Sequence, residues 1–302
     1  MYREAFDSSQ KKTIFITGIS GFLGYKMAML TRNQYNVVGN FYKHPLKIPK
    51  AETLSLRLSD AMMVERVLDT YKPEVIFHLA AISNPNICEK EPSLSYAANV
   101  TATRNLVAAA KKHHIKVVFT SSDLVFDGLN APYDETAQPS PVNLYGIQKL
   151  ESEKAVLDYD HGIVCRMPLM FGEKSQFYGS FLQPMVQFLL AHEDITLFAD
   201  EFRTPLSSQR AVEGLLLMAG QSEKLVHLAG NTSVNRYELG LKIAEMLGTG
   251  TSHIKKHSLH DFVFPAKRPP DTSMKNDLAK SLGFQPGDLF ADLAQVIQTM
   301  KP

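Results

Sequence analysis

An α/β fold is predicted, with a doubly wound parallel sheet of the Rossmann type and a smaller, mainly helical C-terminal substrate-binding domain. Three observations in the 302 residues carry this prediction. Short β-branched runs alternate with longer helical stretches, a glycine-rich turn follows the first run, and the alternation loses regularity after Gly172. Strands are expected at Thr13–Thr17, Asn36–Phe41, Val75–Ala80, Lys116–Ser121 and Gly162–Arg166, with Leu225–Ala229 as a late addition. Between them, Gly21–Asn33, Asp60–Tyr71, Ser93–His113 and Val142–Tyr159 carry helical periodicity. Further helices are expected at Gly179–His192, Ser208–Gly220 and Asn235–Leu247. The last has Asn235 as N-cap, Glu238 three residues on and Gly248 as its stop. Residues 1–172 and 204–230 are expected to form the dinucleotide-binding domain, and residues 173–203 and 231–302 the substrate-binding domain.

Composition narrows the classes of function. A formal charge of +1, with Lys and Arg scattered, gives no field that would select nucleic acid or an acidic membrane. Cys88 and Cys165 lie far apart, and no Cys/His cluster has metal-ligand spacing. No metal is expected, and a reducing cytoplasm fits the cysteine usage. The segment Met1 to Lys12 lacks the apolar core of a signal peptide, and no run is long enough to span a bilayer.

Gly18-x-x-Gly21-x-x-Gly24 leads from an apolar strand straight into a helix. The missing side chains let a pyrophosphate approach backbone N–H groups at the helix start, where the helix dipole favours an anion. Its first interval is one residue wider than the usual dinucleotide fingerprint. The second strand runs out at Gly39-Asn40-Phe41-Tyr42-Lys43-His44, without the carboxylate that would accept a ribose 2′-hydroxyl. Lys43 with His44 is suited instead to a 2′-phosphate, so NADP is expected in preference to NAD; the competing reading of Lys43 is a solvated surface lysine.

Tyr145 and Lys149 share one helical face at spacing i, i+4. An ammonium beside a phenol favours phenolate, so Lys149 is expected to bring Tyr145 down from its free value of ~10 toward working pH. Ser122 lies at the end of a strand, where doubly wound sheets present groups to the crevice, and its hydroxyl can polarise the carbonyl that Tyr145 protonates. Turn or cap hydrogen bonding is the other common role of Ser121 and Ser122.

Gly18-x-x-Gly21-x-x-Gly24, Ser122 and Tyr145-x-x-x-Lys149 together resemble the extended short-chain dehydrogenase/reductase family over nearly the whole chain. His78-Leu-Ala-Ala81, Asn99-Val100 and Arg166-Met-Pro-Leu-Met-Phe-Gly172 support the match. Ser121-Ser-Asp-Leu-Val-Phe-Asp-Gly128, Pro132-Tyr-Asp-Glu135 and Tyr145-Gly146 resemble its dTDP-4-dehydrorhamnose reductase branch, which reduces a ketone on a nucleotide-activated sugar with NAD(P)H. The resemblance implies Ser122, Tyr145 and Lys149 as catalytic residues, with Asn99 as a fourth member in a proton relay. It implies a cofactor site at Gly18, Ser20, Gly21, Phe22, Leu23, Gly24, Lys43, Leu79, Ala80, Ala81 and Pro168, with Tyr145 and Lys149 also touching the cofactor. Ser83, Asp123, Arg203 and Arg268 are implied on the substrate side, and a homodimer through Ser93–His113 and Val142–Tyr159.

Where dehydratases of this family place a catalytic Glu, the chain has Leu124, and an alkyl group cannot abstract a proton. Leu169 stands where the branch has a sugar-stacking tryptophan, in a chain with no Trp, and the usual paired acids are replaced around Gln209 and Arg210. Arg203 and Arg268 are suited to binding a diphosphate bidentately or, equally, to a structural role. His113, His114, His253 and His257 are assigned none. The leading expectation is a reductase of a keto group on a nucleotide sugar, with Tyr145 as general acid. Two others stand beside it: an NADP-binding regulatory protein, since the branch also resembles the regulatory subunit of methionine adenosyltransferase, and a nucleotide-sugar epimerase.

Overall fold

The computed structural model describes residues 11–300. In chain order the first half contains β1 (Thr13–Thr17), α1 (Phe22–Thr31), β2 (Asn36–Phe41), β3 (Ala51–Ser55), α2 (Ala61–Tyr71), β4 (Val75–His78), α3 (Pro85–Lys90), α4 (Pro92–Tyr96), α5 (Ala102–His113), β5 (Lys116–Ser122) and α6 (Leu144–Leu157). The second half contains β6 (Gly162–Met167), β7 (Met170–Phe171), α7 (Leu182–Leu190), β8 (Ile195–Phe198), β9 (Phe202–Arg203), β10 (Leu206–Ser207), α8 (Ser208–Ala219), β11 (Leu225–His227), β12 (Val234–Asn235), α9 (Arg236–Leu247), β13 (Ile254–His257), α10 (Asp277–Ser281) and α11 (Leu289–Gln298).

Seven strands form one sheet in the order β11-β6-β5-β4-β1-β2-β3, all paired in parallel. Alternation along each strand sorts its side chains between two cores. Ile14 and Ile16 face α1 and α8 with Met27, Leu215 and Met218, whereas Phe15 faces α2, α5 and α6 with Leu68, Leu106 and Val156. A separate core joins Leu182 and Met185 of α7, Leu197 of β8, Ile243 of α9 and Leu293 of α11. The short pairs β8/β13 and β9/β12 belong to this smaller lobe.

Among the described residues, six α-helix starts fall at residues whose side chains accept backbone N–H groups of the first turn: Asp60, Asn84, Asn143, Ser207, Asn235 and Asp288. These caps explain why the helices begin where they do. The edge strand β3 is absent from the sequence reading, because Ala-Glu-Thr-Leu-Ser is half exposed and has no apolar run to announce it. β4 stops two residues short of the expected Ala80, since the N–H groups of Leu79 and Ala80 turn to Thr17 Oγ1 at 2.9 and 3.0 Å. The expected single helix Ser93–His113 is α4 and α5 joined by a π turn at Ala97–Thr101. Among the described residues, no helix is long and apolar enough to cross a membrane, and no group of three or more His, Cys, Asp or Glu could hold a metal ion.

Candidate active site at the C-terminal edge of the sheet

The glycine turn joins β1 to α1, with Gly21 at the N-cap and Phe22 and Leu23 opening the helix. A methyl group on Gly24 would lie 2.2 Å from Gly18 O, so only glycine lets the helix close onto the turn and leave its N–H groups bare. This cradle fits the pyrophosphate of a dinucleotide. Asn40 stiffens it, accepting Gly18 N–H at 3.2 Å and donating to Leu56 O at 2.9 Å, which ties the ends of β1, β2 and β3 together. Ser175 donates to Ser20 O at 3.2 Å from the segment after β7. Neither Asn40 nor Ser175 was singled out in the sequence, because their partners are backbone atoms of strands and turns distant along the chain.

Leu79, Ala80 and Ala81 follow β4 directly and are half buried; Ser83 beyond them is exposed, and Pro168 after β6 is buried. Their course is fixed by a chain of hydrogen bonds. Thr17 Oγ1 lies 2.8 Å from His78 Nδ1, His78 Nε2 lies 2.9 Å from Thr103 Oγ1, and Thr103 donates to Asn99 O at 2.6 Å. Because Thr103 gives its proton to Asn99, His78 Nε2 carries the hydrogen and Nδ1 accepts from Thr17. Burial, aided by the charge of Lys149, lowers the His78 pKa to about 3 and keeps it neutral.

Lys43 lies just past β2, exposed, with Nζ 6.0 Å from the Tyr42 ring centre. Arg57, two residues past the unexpected β3, stacks on the same ring at 5.0 Å and hydrogen-bonds Tyr42 Oη. Two cations therefore flank one ring beside the glycine turn. Arg57 escaped the sequence reading because β3 did.

Tyr145 and Lys149 sit on α6, 7 % and 2 % exposed, against the end of β5 that carries Ser122. Lys149 Nζ lies 4.3 Å from the Phe119 ring centre. The expected lowering of the Tyr145 pKa is not found: the net shift is upward. Burial raises the Tyr145 pKa, the Asp123 carboxylate adds to the rise, and a hydrogen bond with Ser122 opposes it. Burial likewise lowers Lys149 to about 7, against the charge of Glu153 one turn on. Counting charge alone missed the cost of withdrawing both groups from water.

Ser122 Oγ donates to Asp123 Oδ1 at 3.0 Å and accepts Leu124 N–H at 3.1 Å. Its neighbour Ser121 donates to Glu153, which holds Arg166 in a buried bidentate pair at 2.9 and 2.8 Å. The two serines thus serve different partners. Asn99 lies in the π turn, a feature frequent at functional sites. Its Oδ1 accepts Ile82 N–H at 2.8 Å, its Nδ2 donates to Ile82 O and Gln148 Oε1 at 3.1 and 2.8 Å, and its carbonyl accepts Thr103 and Ser152. Both amide hydrogens and the carbonyl of Asn99 are thus engaged within the protein, and its Oδ1 accepts one N–H.

On the substrate side, Arg203 is corrected. Arg203 is 5 % exposed and turned inward: its Nη1 donates to Phe202 O and its Nη2 to Pro269 O, with Glu201 at 3.2 Å and Asp123 at 3.5 Å. A guanidinium so committed cannot also take a diphosphate. Asp123 is 4 % exposed, with Oδ2 accepting Thr272 Oγ1 at 2.8 Å, and burial raises its pKa against the pull of Arg203. Arg268 is partly exposed and stacks on Phe264 at 4.3 Å.

The sequence profile of the RmlD substrate binding domain family matches residues 12–301. Methionine adenosyltransferase 2 subunit beta of Rattus norvegicus is 31% identical over 283 residues, covering 90% of this chain and 83% of that protein. The probable low-salt glycan biosynthesis reductase Agl14 of Haloferax volcanii is 28% identical over 287 residues, covering 93% and 95%. The structure of dTDP-4-dehydrorhamnose reductase from Bacillus anthracis in complex with NADP superposes with a TM-score of 0.85 at 23% identity, covering 96% of this chain and 100% of that one. With the profile spanning both the glycine turn and the Tyr145 helix, the chain belongs to the RmlD substrate binding domain family.

Proposed function

We propose that the chain is an NADP(H)-dependent reductase of a keto group on a nucleotide-activated sugar. The observation that carries this is the placement of buried Tyr145 with Lys149 beside Ser122 at the sheet edge that also bears the glycine cradle. A phenol whose pKa is raised keeps its proton until a carbonyl oxygen begins to accumulate charge, as a general acid must. Lys149, with a pKa of about 7, supplies a positive charge below neutrality that favours the phenolate left after transfer. Ser122 would orient the same oxygen by turning its hydroxyl from Asp123 to it. The bound nicotinamide would supply the hydride. Leu124 in place of a carboxylate favours reduction over dehydration. The Haloferax and Bacillus proteins, named as reductases, and the NADP of the latter's complex support this reading.

Residues 1–172 and 204–230 are assigned to cofactor, and 173–203 and 231–302 to substrate. Exposed Leu94, Tyr96 and Ile147 on α4 and α6 support a homodimer through that face, and the cysteine usage supports a cytoplasmic location. The deciding assay is oxidation of NADPH with dTDP- and UDP-linked 4-keto-6-deoxyhexoses. Turnover is expected, with Tyr145→Phe lowering kcat by about 100-fold or more; NADPH binding without turnover of any such sugar would sink the proposal.

A second reading, a dinucleotide-binding regulatory subunit, is favoured by the 31% identity to methionine adenosyltransferase 2 subunit beta. It predicts a stable complex with a methionine adenosyltransferase catalytic subunit, formed equally by Tyr145→Phe.

A further inference from the structure

The segment that follows β7 crosses the glycine turn. Ser175 is its pivot. Buried at 3 % exposure, it donates to Ser20 O at 3.2 Å, its Oγ accepts the N–H groups of Phe177 and Tyr178 at 3.3 and 2.9 Å, and its own N–H donates to Tyr178 O at 2.7 Å. Residues 175–178 are therefore one self-bonded turn hung from the cradle. Ahead of it, Glu173 pairs with Lys26 of α1 at 3.2 Å. Behind it, Gln183 of α7 accepts Ser180 N–H at 2.6 Å and donates to Gly172 O at 2.7 Å, which ties the two ends of the segment to each other.

The far end of the crossing is aromatic. His44, three residues past β2, stacks on Phe177 with ring centres 4.8 Å apart and planes at 28°, and meets Tyr178 edge-on at 5.5 Å. His44 is half buried, but Phe177 and Tyr178 are 39 % and 44 % exposed. Rings in that much contact with water hold one another weakly, so they can part without disturbing either core. The segment thus touches α1, the glycine turn and the chain just past β2. A dinucleotide on this cradle has to pass the same three places, with its pyrophosphate on the start of α1 and its adenosine ribose toward the end of the second strand.

We propose that residues 173–180 form a strap across the cofactor groove, latched by His44 against Phe177 and Tyr178, and that the dinucleotide enters and leaves only when this latch opens. The strap rests on the cofactor reading of the glycine turn, and it moves to the cofactor a segment assigned above to substrate. Every contact of the latch is between protein groups, so it opposes entry and exit alike. Its effect falls on rates and not on affinity.

Stopped-flow fluorescence of NADPH and of NADH with the full chain tests this. Phe177→Ala is expected to raise the association and dissociation rate constants together, about 2- to 10-fold, by the same factor for both cofactors and with Kd nearly unchanged. Phe177→Tyr keeps the stacking face and should keep the wild-type rates. Ser175→Ala frees the strap from the glycine turn and should also speed both steps; should this buried substitution fail to fold, the exposed Phe177 decides alone. Wild-type rates in Phe177→Ala overturn the strap and leave the cofactor reading standing. Faster release without faster entry overturns it too, since Phe177 would then be a wall touching the cofactor and not a latch. A wild-type chain that binds neither cofactor overturns strap and cofactor reading together. Gated binding without turnover of any keto-sugar nucleotide would overturn the reductase reading and keep the strap.

Discussion

Arg203 Nε lies 3.5 Å from Asp123 Oδ2, which ion-pairs the small lobe to the residue beside the candidate catalytic serine. Asp123 Oδ1 accepts the Ser122 hydroxyl, and Thr272, on the segment after Arg268, donates to Oδ2. The two lobes therefore meet through a buried charge network next to the chemistry.

Arg203→Met should unfold the protein more readily by about 3–5 kcal/mol, because it strands Asp123 in a buried site without its guanidinium partner and takes from Glu201 the shortest of its three ion pairs. Urea denaturation measures this. Adding Asp123→Asn to Arg203→Met should return part of the loss, and two strictly additive losses would sink the coupling.

Lys149 gives a stability signature in pH. Its folded pKa of about 7 lies below its ordinary 10.5, so between those values the unfolded chain holds a proton that the folded chain has released. Stability from this group then rises with pH across that window, and the full burial penalty is present below about pH 7. Lys149→Met should accordingly raise stability by on the order of 3 kcal/mol at pH 6, with the gain fading as pH approaches 10. Thermal melts across this range check it; a gain independent of pH would contradict it.

Local features were legible in the sequence where local rules decide. Asn235, Glu238 and Gly248 mark the ends of α9 because capping is a short-range matter. The glycine turn and the Tyr145/Lys149 face are likewise local patterns. Arg203 reads the same in sequence whether it faces a ligand or a carboxylate, and its role follows from Asp123 and Pro269, brought from distant parts of the chain beside its near neighbour Glu201. Desolvation of Tyr145 and Lys149 was invisible for the same reason: it depends on what covers α6, not on the spacing along it.

Arg57 should prove to be a determinant of cofactor choice. It and Lys43 flank Tyr42 just past the end of β2, and Tyr42-Lys43-His44 after that strand has no carboxylate. Arg57→Ala is expected to weaken NADPH about tenfold, as loss of a charge-assisted phosphate contact would, while NADH affinity stays the same. Fluorescence titration with both cofactors separates these outcomes; equal weakening of the two would mean that Arg57 supports the fold of the cradle and not a 2′-phosphate.

Gly146 places Tyr145 where it is. A methyl group at Gly146 would lie 2.1 Å from Leu124 O and 2.9 Å from Pro141 Cβ, so α6 packs directly on the backbone after Ser122 only because that side chain is absent. In Gly146→Ala the helix must withdraw from the end of β5 and carry Tyr145 away from Ser122. The glycine cradle lies on the other side of β4 and should still bind NADPH. A displacement of about 1 Å in a positioned acid can lower kcat about 100-fold, so turnover should fall by that order with cofactor affinity nearly unchanged. Parallel measurement of kcat and of NADPH affinity distinguishes this from general loss of structure, in which both would fall together.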